Sequence, residues 1–339
     1  MKVHFYKPPP AQRAGGLNAA IEALRRALLE AGIEVSAELP TKNGHSVVHF
    51  HGLWQLAHAR FAAGFAGKGI PCVISPHGML ELWALNHKRW KKEPYYHTIE
   101  KHHLRRARAV LATAPKEAKR LRELLPDVRV EVLPLGLTGE ARPDYEAARA
   151  RLGWAPEERV LLFLSRLHVK KGLNLLFHAL AETNLPERSR LVIVGGGSPS
   201  YEAELRALAG RLGDRLPQID WIGELWTEDR WKYFQGADLF CLPSHSENFG
   251  LAVLEACQVG TPVLTTTTTP WADEIGTDHG YIAEPTVESL HPQLTRFFAA
   301  GPWLPEDRAG LSAWAWEKFH WSALTPRYLA LYRGLLGAI

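Results

Sequence analysis

The chain has 339 residues, 46% apolar and 22% charged, a make-up that excludes a disordered or fibrous chain and leaves room for two globular domains. No stretch nears the ~20 unbroken apolar residues of a membrane-crossing helix, and no apolar signal core precedes Pro8, Pro9 and Pro10, which argues against secretion. The net charge of +4 hides an asymmetry, because residues 1–150 carry 23 Lys/Arg against 14 Asp/Glu and residues 151–339 carry 17 against 22, so an anionic partner would meet the first half.

Short apolar runs rich in β-formers alternate with helical patterns along the chain. In the first half the runs are 3–6, 46–50, 72–75, 109–112 and 128–133, with helical stretches such as 17–31 and 115–125 between them. Residues 86–108 interleave eight Lys/Arg and two Glu with Trp90, Tyr95, Tyr96 and Ile99. Pro94 is expected to split this segment into two short helices. Cations mixed with aromatics suit an anionic membrane surface, and a solvated face is an equal reading of the same pattern. Nucleic acid is a weaker one, because no nucleic-acid module accompanies the charge.

Residues 134–144 lack periodicity and are rich in Gly and Pro, which marks a linker. Beyond it the strand candidates are 160–164, 191–194, 219–222, 239–242, 262–265 and 281–283. Strands apolar from end to end and alternating with helices imply parallel sheets covered on both faces. Two such doubly wound, Rossmann-like domains would face each other across a cleft, with ligands at the carboxyl ends of the strands. Cys72, Cys241 and Cys257 are odd in number and flanked by apolar residues, as buried thiols of a reducing compartment are.

The densest chemistry lies in Ser244-His245-Ser246-Glu247-Asn248-Phe249-Gly250-Leu251. A helix opening at Gly250 would aim the N–H groups of Phe249, Gly250 and Leu251 at an oxygen ligand. Glu247 sits just before that helix and can accept hydrogen bonds from sugar hydroxyls. Glu255, on a mostly apolar helix between Leu254 and Ala256, is costly unless partnered and can take a ribose diol. Arg166 and Lys171 follow the strand 160–164, where two cations can neutralise a leaving diphosphate. Taken alone, such a turn more often faces solvent, as Glu247 and Glu255 would if they were ordinary helix acids. Gly16 opens the first long helix after strand 3–6, and Gly195, Gly223 and Glu224 follow later strands among the donor-binding candidates. His77 and His51 each lie at a strand end.

The seven residues between Glu247 and Glu255 make an E-x7-E spacing, and Ala237 through Thr266 resembles the signature of the family 4 retaining glycosyltransferases. The likeness extends to Ser165-Arg166, Lys171-Gly172, Gly195-Gly196-Gly197, Trp271 and His77-Gly78-Met79-Leu80. It implies the GT-B architecture, with an acceptor-binding domain over 1–140, a nucleotide-sugar domain over 141–320 and a terminal helix over 321–339 that crosses back. It also implies that Arg166 and Lys171 bind the diphosphate of a UDP- or GDP-linked sugar, and that His77 approaches the donor sugar near its reacting carbon. Gly16 would belong to a Gly-rich loop, and His51 would contact the acceptor. Lys88, Arg89, Lys91 and Lys92 would meet acceptor or membrane. Where the family carries Asn-Gly in its linker, this chain has Pro134-Leu135-Gly136.

The implied activity is transfer of a hexosyl-type group with retention onto a glycan or lipid-linked acceptor in polysaccharide or lipopolysaccharide synthesis. The setting would be the cytoplasm, on the inner face of the membrane. No cofactor is expected. The chain has no Asp-x-Asp, and His45, His49 and His51 lack a Cys or carboxylate companion, so no metal is expected either. An epimerase, a phosphorylase, or a silent sugar-binding subunit on the same frame are the alternatives. Gly195 through Ser200 imitates a dinucleotide loop but has Ser200 where the third glycine belongs.

Overall fold

The structure is a computed structural model and describes residues 1–7, 15–40, 45–86, 88–225, 227–276 and 279–337. The triple proline at 8–10 and His87 of the basic segment lie outside those residues. The chain divides into two compact units, one of Met1–Thr138 with Lys318–Ile339 and one of Gly139–Glu317.

The first unit runs β1 (Lys2–Tyr6), α1 (Gly15–Glu30), β2 (Glu34–Ser36), β3 (Ser46–His51), α2 (Leu56–Gly67) and β4 (Cys72–Ser75). It continues through α3 (Leu82–Asn86), α4 (Arg89–Tyr95), α5 (Lys101–Arg106), β5 (Ala109–Ala112), α6 (Pro115–Leu124) and β6 (Val130–Val132). Its described strands form a six-stranded, all-parallel sheet in the order β2-β1-β3-β4-β5-β6. β3, β4 and β5 are buried throughout, as strands covered on both faces must be.

The second unit contains α7 (Tyr145–Leu152), β7 (Arg159–Leu164), α8 (Leu173–Glu182), β8 (Ser189–Val194), α9 (Pro199–Leu212) and β9 (Gln218–Gly223). After these come α10 (Arg230–Gly236), β10 (Leu239–Leu242), α11 (Leu251–Gln258), β11 (Val263–Thr266) and α12 (Trp271–Ile275). β12 (Gly280–Ala283), α13 (Val287–Ala299) and α14 (Pro305–Phe319) follow. Its sheet is also six-stranded and parallel, ordered β12-β11-β10-β7-β8-β9.

The terminal helix α15 (Trp321–Gly337) belongs to the first unit. Its Trp321, Leu324, Tyr328, Leu331, Tyr332 and Leu335 pack with Val3, Phe5, Ile21 and Leu24 against one face of the sheet. The opposite face is covered by a second cluster around Phe50, Ile74, Phe65 and Leu121. Gly136 sits beneath Trp321, where a Cβ would come 2.6 Å from the indole. The Trp321 indole N–H donates to the Leu137 carbonyl at 2.9 Å.

One expectation needs correction, and one strand was not expected. Pro94 does not split the basic segment; it lies inside α4, the next turn widens into a π-helix over Tyr96–Glu100, and α5 follows without a break. Proline removes one N–H, and the wider turn absorbs the change in register. The strand β2 escapes a reading by apolar runs because it is three residues long, at the sheet edge, and has Glu34 exposed with Val35 and Ser36 half-buried.

Candidate functional site

In the second unit, β7 is flanked by β8 on one side and by β10 on the other. Crossovers leave β7 and β10 in opposite directions, so the loops behind these two strands diverge and open a crevice at their carboxyl ends. Arg166 and Lys171 come from the loop after β7, and Glu247 from the loop after β10. The Lys171 ammonium meets the Glu247 carboxylate at 2.5 Å, with 14% and 10% of the two side chains exposed.

Backbone contacts hold the two loops in place. The His245 N–H donates to the Lys170 carbonyl at 2.8 Å. Gly172, at φ +69°, passes so close to Pro243 that a Cβ would lie 2.0 Å from its carbonyl oxygen. The Thr266 and Thr268 hydroxyls both donate to the Ser244 carbonyl, at 2.5 and 2.6 Å. Arg166 is exposed on the same loop as Lys171.

Gly195, Gly196 and Gly197 form the neighbouring wall. A Cβ on Gly195 would stand 1.9 Å from the Ser165 carbonyl oxygen, and one on Gly197 2.2 Å from that of Leu167. The Leu167 N–H donates to the Gly196 carbonyl at 2.8 Å. These glycines therefore let the loop carrying Arg166 lie against the end of β8. That requirement comes from packing and stands whatever a nucleotide does there. Gly223, at φ +82°, closes the row by accepting the Gly195 N–H at 2.8 Å, and Glu224 lies against Gly196.

Gly250 is the left-handed N-cap of α11 at φ +78°, and no side-chain hydrogen bond caps the helix. Its first amides are thus available to an oxygen ligand. Trp271 seats this turn by donating its indole N–H to the Phe249 carbonyl and packing edge-on against the Phe249 ring, 5.2 Å away. The Phe249 side chain is buried and belongs to the core, so only its backbone can serve a ligand. Asn248 is half-buried beside it, and Leu251 begins the helix proper. Glu255 is 9% exposed and accepts from Arg230 at 3.4 Å. The sequence reading passed over Arg230, since nothing local ties it to a carboxylate twenty-five residues later.

In the first unit the strand ends carry imidazoles. His77 and Gly78 are consecutive left-handed residues, at φ +51° and +75°, a conformation uncommon outside glycine that histidine adopts more readily than most side chains. His51 Nδ1 and His77 Nε2 are 3.1 Å apart. Behind them His49 bonds the Ser75 hydroxyl at 2.7 Å and the Tyr332 hydroxyl at 2.9 Å. Burial pushes His49 down to about 3 and His77 down to about 4, and it lowers His51 well below its ordinary value. The rings are neutral at pH 7. A cavity of about 10 Å³, room for one water, lies among His49, His51, Ser75, His77 and Thr113.

His51 is 1% exposed, which corrects the expectation that it faces an acceptor; the ring is enclosed by Phe5, His49 and His77. Gly16 lies in the first turn of α1, and the loop ahead of it is outside the described residues. Lys88, Arg89, Lys91 and Lys92 lie at the start of α4, beside Trp90, which is 74% exposed. Lys91 stands over the Trp90 ring at 4.6 Å, and Arg89 pairs with Glu93 at 2.9 Å. Lys92 reaches back to the Ala84 carbonyl of α3, whose Leu82 is 61% exposed.

Two family models match the chain, a glycosyl transferase 4-like domain over residues 2–136 and the glycosyl transferases group 1 over 144–309. A D-inositol 3-phosphate glycosyltransferase of Streptosporangium roseum is 30% identical over 302 residues, covering 79% of this chain and 65% of that protein. The one from Acidothermus cellulolyticus is 43% identical over 162 residues, covering 44% and 36%. The chain thus matches less than two thirds of either relative's length. Among solved structures, sucrose-phosphate synthase from Thermosynechococcus elongatus superposes with a TM-score of 0.75 at 21% identity over the full length of both chains. Anabaena HepE in complex with UDP and glucose gives 0.73 at 16% identity, over 98% of this chain and all of that one. WaaG, a glycosyltransferase involved in lipopolysaccharide biosynthesis, gives 0.68 at 17%, over 98% and 100%.

Proposed function

Since the chain belongs to the family 4 glycosyltransferases of GT-B fold, we propose that it transfers a hexosyl-type group, with retention and without a metal, from a UDP- or GDP-linked sugar. The observation that carries this reading is the Lys171–Glu247 pair at the switch point of the second sheet, with Arg166 on the same loop. An incoming diphosphate competes with Glu247 for Lys171. Once the ammonium turns to the phosphate oxygens, Glu247 accepts from the sugar hydroxyls.

The bond from the anomeric carbon to the diphosphate oxygen then breaks toward Arg166 and Lys171, whose charge lowers the barrier most at that moment. The acceptor oxygen bonds to the same face of that carbon, and its proton leaves with the diphosphate. Glu255, set by Arg230, takes the ribose hydroxyls. The amides opening α11 bind oxygens of the donor. The neutral His77 imidazole contacts a hydroxyl near the reacting carbon.

For the acceptor we propose a glycan carried on lipid, in polysaccharide or lipopolysaccharide synthesis at the inner face of the cytoplasmic membrane. Its support is the net +9 of residues 1–150, the exposed Trp90 between Arg89 and Lys91 at the start of α4, and the exposed Leu82 of α3. A soluble phosphorylated acceptor is the second reading, favoured by the names of the D-inositol 3-phosphate relatives. Sedimentation with anionic vesicles decides between them.

The donor reading is tested by thermal shift with UDP, GDP, UDP-glucose and GDP-mannose, since a ligand at a hundred times its Kd stabilises by about 2.7 kcal/mol. One nucleotide pair is expected to raise Tm, and Arg166→Ala and Lys171→Ala to abolish the rise. Normal sugar transfer by either variant overturns the assignment.

A further inference from the structure

The left-handed turn at His77 and Gly78 is tied down by a side chain from another element. Glu117, in the first turn of α6, accepts the Gly78 N–H on Oε1 at 2.7 Å. Its Oε2 accepts the Thr113 N–H at 2.7 Å and the Thr113 hydroxyl at 2.9 Å. The carboxyl is 3% exposed, yet a helix-start acid that only capped α6 would need no contact with the loop after β4. Glu117 joins the loop after β5 to the loop after β4, the one that ends in His77.

We propose that Glu117 is the positioning residue of the His77 turn: by fixing the Gly78 amide it keeps His77 left-handed and its ring in register with His51. This rests on the role given to His77 above. A non-glycine residue at positive φ carries a conformational cost, and contacts that hold its peptide offset that cost. Of the contacts on this turn, the Glu117 carboxylate is the one that grips the backbone at the strained residue's own C-terminal peptide. All three donors need acceptor oxygens, so both carboxylate oxygens are used. A carboxamide has one such oxygen; it keeps more bonds by leaving that oxygen on the two Thr113 donors, so its NH2 faces the Gly78 N–H and the Gly78 contact is the one lost.

The test compares Glu117→Gln, Thr113→Val and His77→Ala. Long-range proton–nitrogen spectra of the imidazoles, in protein labelled at histidine, read the His77 and His51 rings directly and need no substrate. Glu117→Gln is expected to move both signals. Thr113→Val, which spares the Gly78 contact, is expected to leave them near the parent positions. Turnover of UDP-glucose should fall by about ten- to a hundred-fold in Glu117→Gln, the scale of a contact misplaced by an ångström. It should fall no further in Glu117→Gln/His77→Ala than in His77→Ala, because the two act as one unit. Unmoved imidazole signals in Glu117→Gln overturn the proposal. Full turnover in His77→Ala, with the signals still moved by Glu117→Gln, overturns the role of His77 and leaves the clamp standing.

Discussion

Both sheets are six-stranded and parallel, but they differ in strand order and in how they manage polarity at their strand ends. In the first unit the end of β3 and the loop after β4 hold His49, His51 and His77 as neutral rings, His49 bonded to Ser75 and Tyr332 and His51 to His77. In the second, the loops after β7 and β10 keep full charges and pair them, Lys171 with Glu247, and Glu255 with Arg230 from the start of α10. Desolvation opposes charge in both places. A titratable ring can escape by giving up its proton, whereas a carboxylate beside an ammonium escapes by pairing. The first unit thus keeps neutral rings at its strand ends and the second keeps paired charges.

The largest expected effect breaks the charged side. Lys171→Ala should lower sugar transfer by roughly a hundred- to a thousand-fold, as loss of a preorganised charge does, and leave Glu247 without its cation. Steady-state transfer assays check it, and Lys171→Arg should recover part of the rate.

Acid should break the uncharged side first. His49 and His58 are held at about 3 and His77 at about 4 by burial. Because these folded values lie below the unfolded ~6.5, their stabilisation is present above pH 6.5 and is lost as pH falls. Glu117, raised to about 7 by burial, works in the opposite sense; its contribution is present below about pH 4.5 and is lost as pH rises through 7. From pH 6.5 to 5 each group changes stability by about 2 kcal/mol, and three histidines outweigh one glutamate by roughly 4 kcal/mol. Hydrogen exchange at pH 5 should therefore show the first unit losing protection before the second. Equal loss in both units would contradict the buried neutral rings as the acid-sensitive element of the first unit.

Arg230→Ala should leave the Glu255 carboxylate buried without this guanidinium and cost about 1–3 kcal/mol. Donor affinity should fall with it, which calorimetry with the nucleotide reads. The smallest effect on transfer concerns Gly136: an added methyl meets Trp321 at 2.6 Å and should cost about 1–3 kcal/mol of stability by overpacking. Denaturant melts should show it with transfer near normal at low temperature.

Much of this fold is legible in the sequence because parallel strands covered on both faces carry apolar runs, as β4, β5, β7, β8 and β10 do, whereas β3 interleaves its apolar residues with His49 and His51. β2 escaped because a short edge strand carries no such run. Pro94 misled because the penalty of one missing N–H is local, while the π-turn that accommodates it depends on packing around Tyr96 and Glu100, both buried.

By itself the sequence determined the alternation of strands and helices, the E-x7-E spacing that puts Glu247 before α11 and Glu255 on it, and the excess of cations in the first half. Only the tertiary structure decided that Lys171 faces Glu247, that Arg230 faces Glu255, that His51 is sealed from solvent, and that Glu117 grips the Gly78 amide. Spacing along one segment is set by backbone geometry and can be counted. Which distant strand ends become neighbours depends on the order of strands in each sheet, and that order is chosen by the packing of the whole unit.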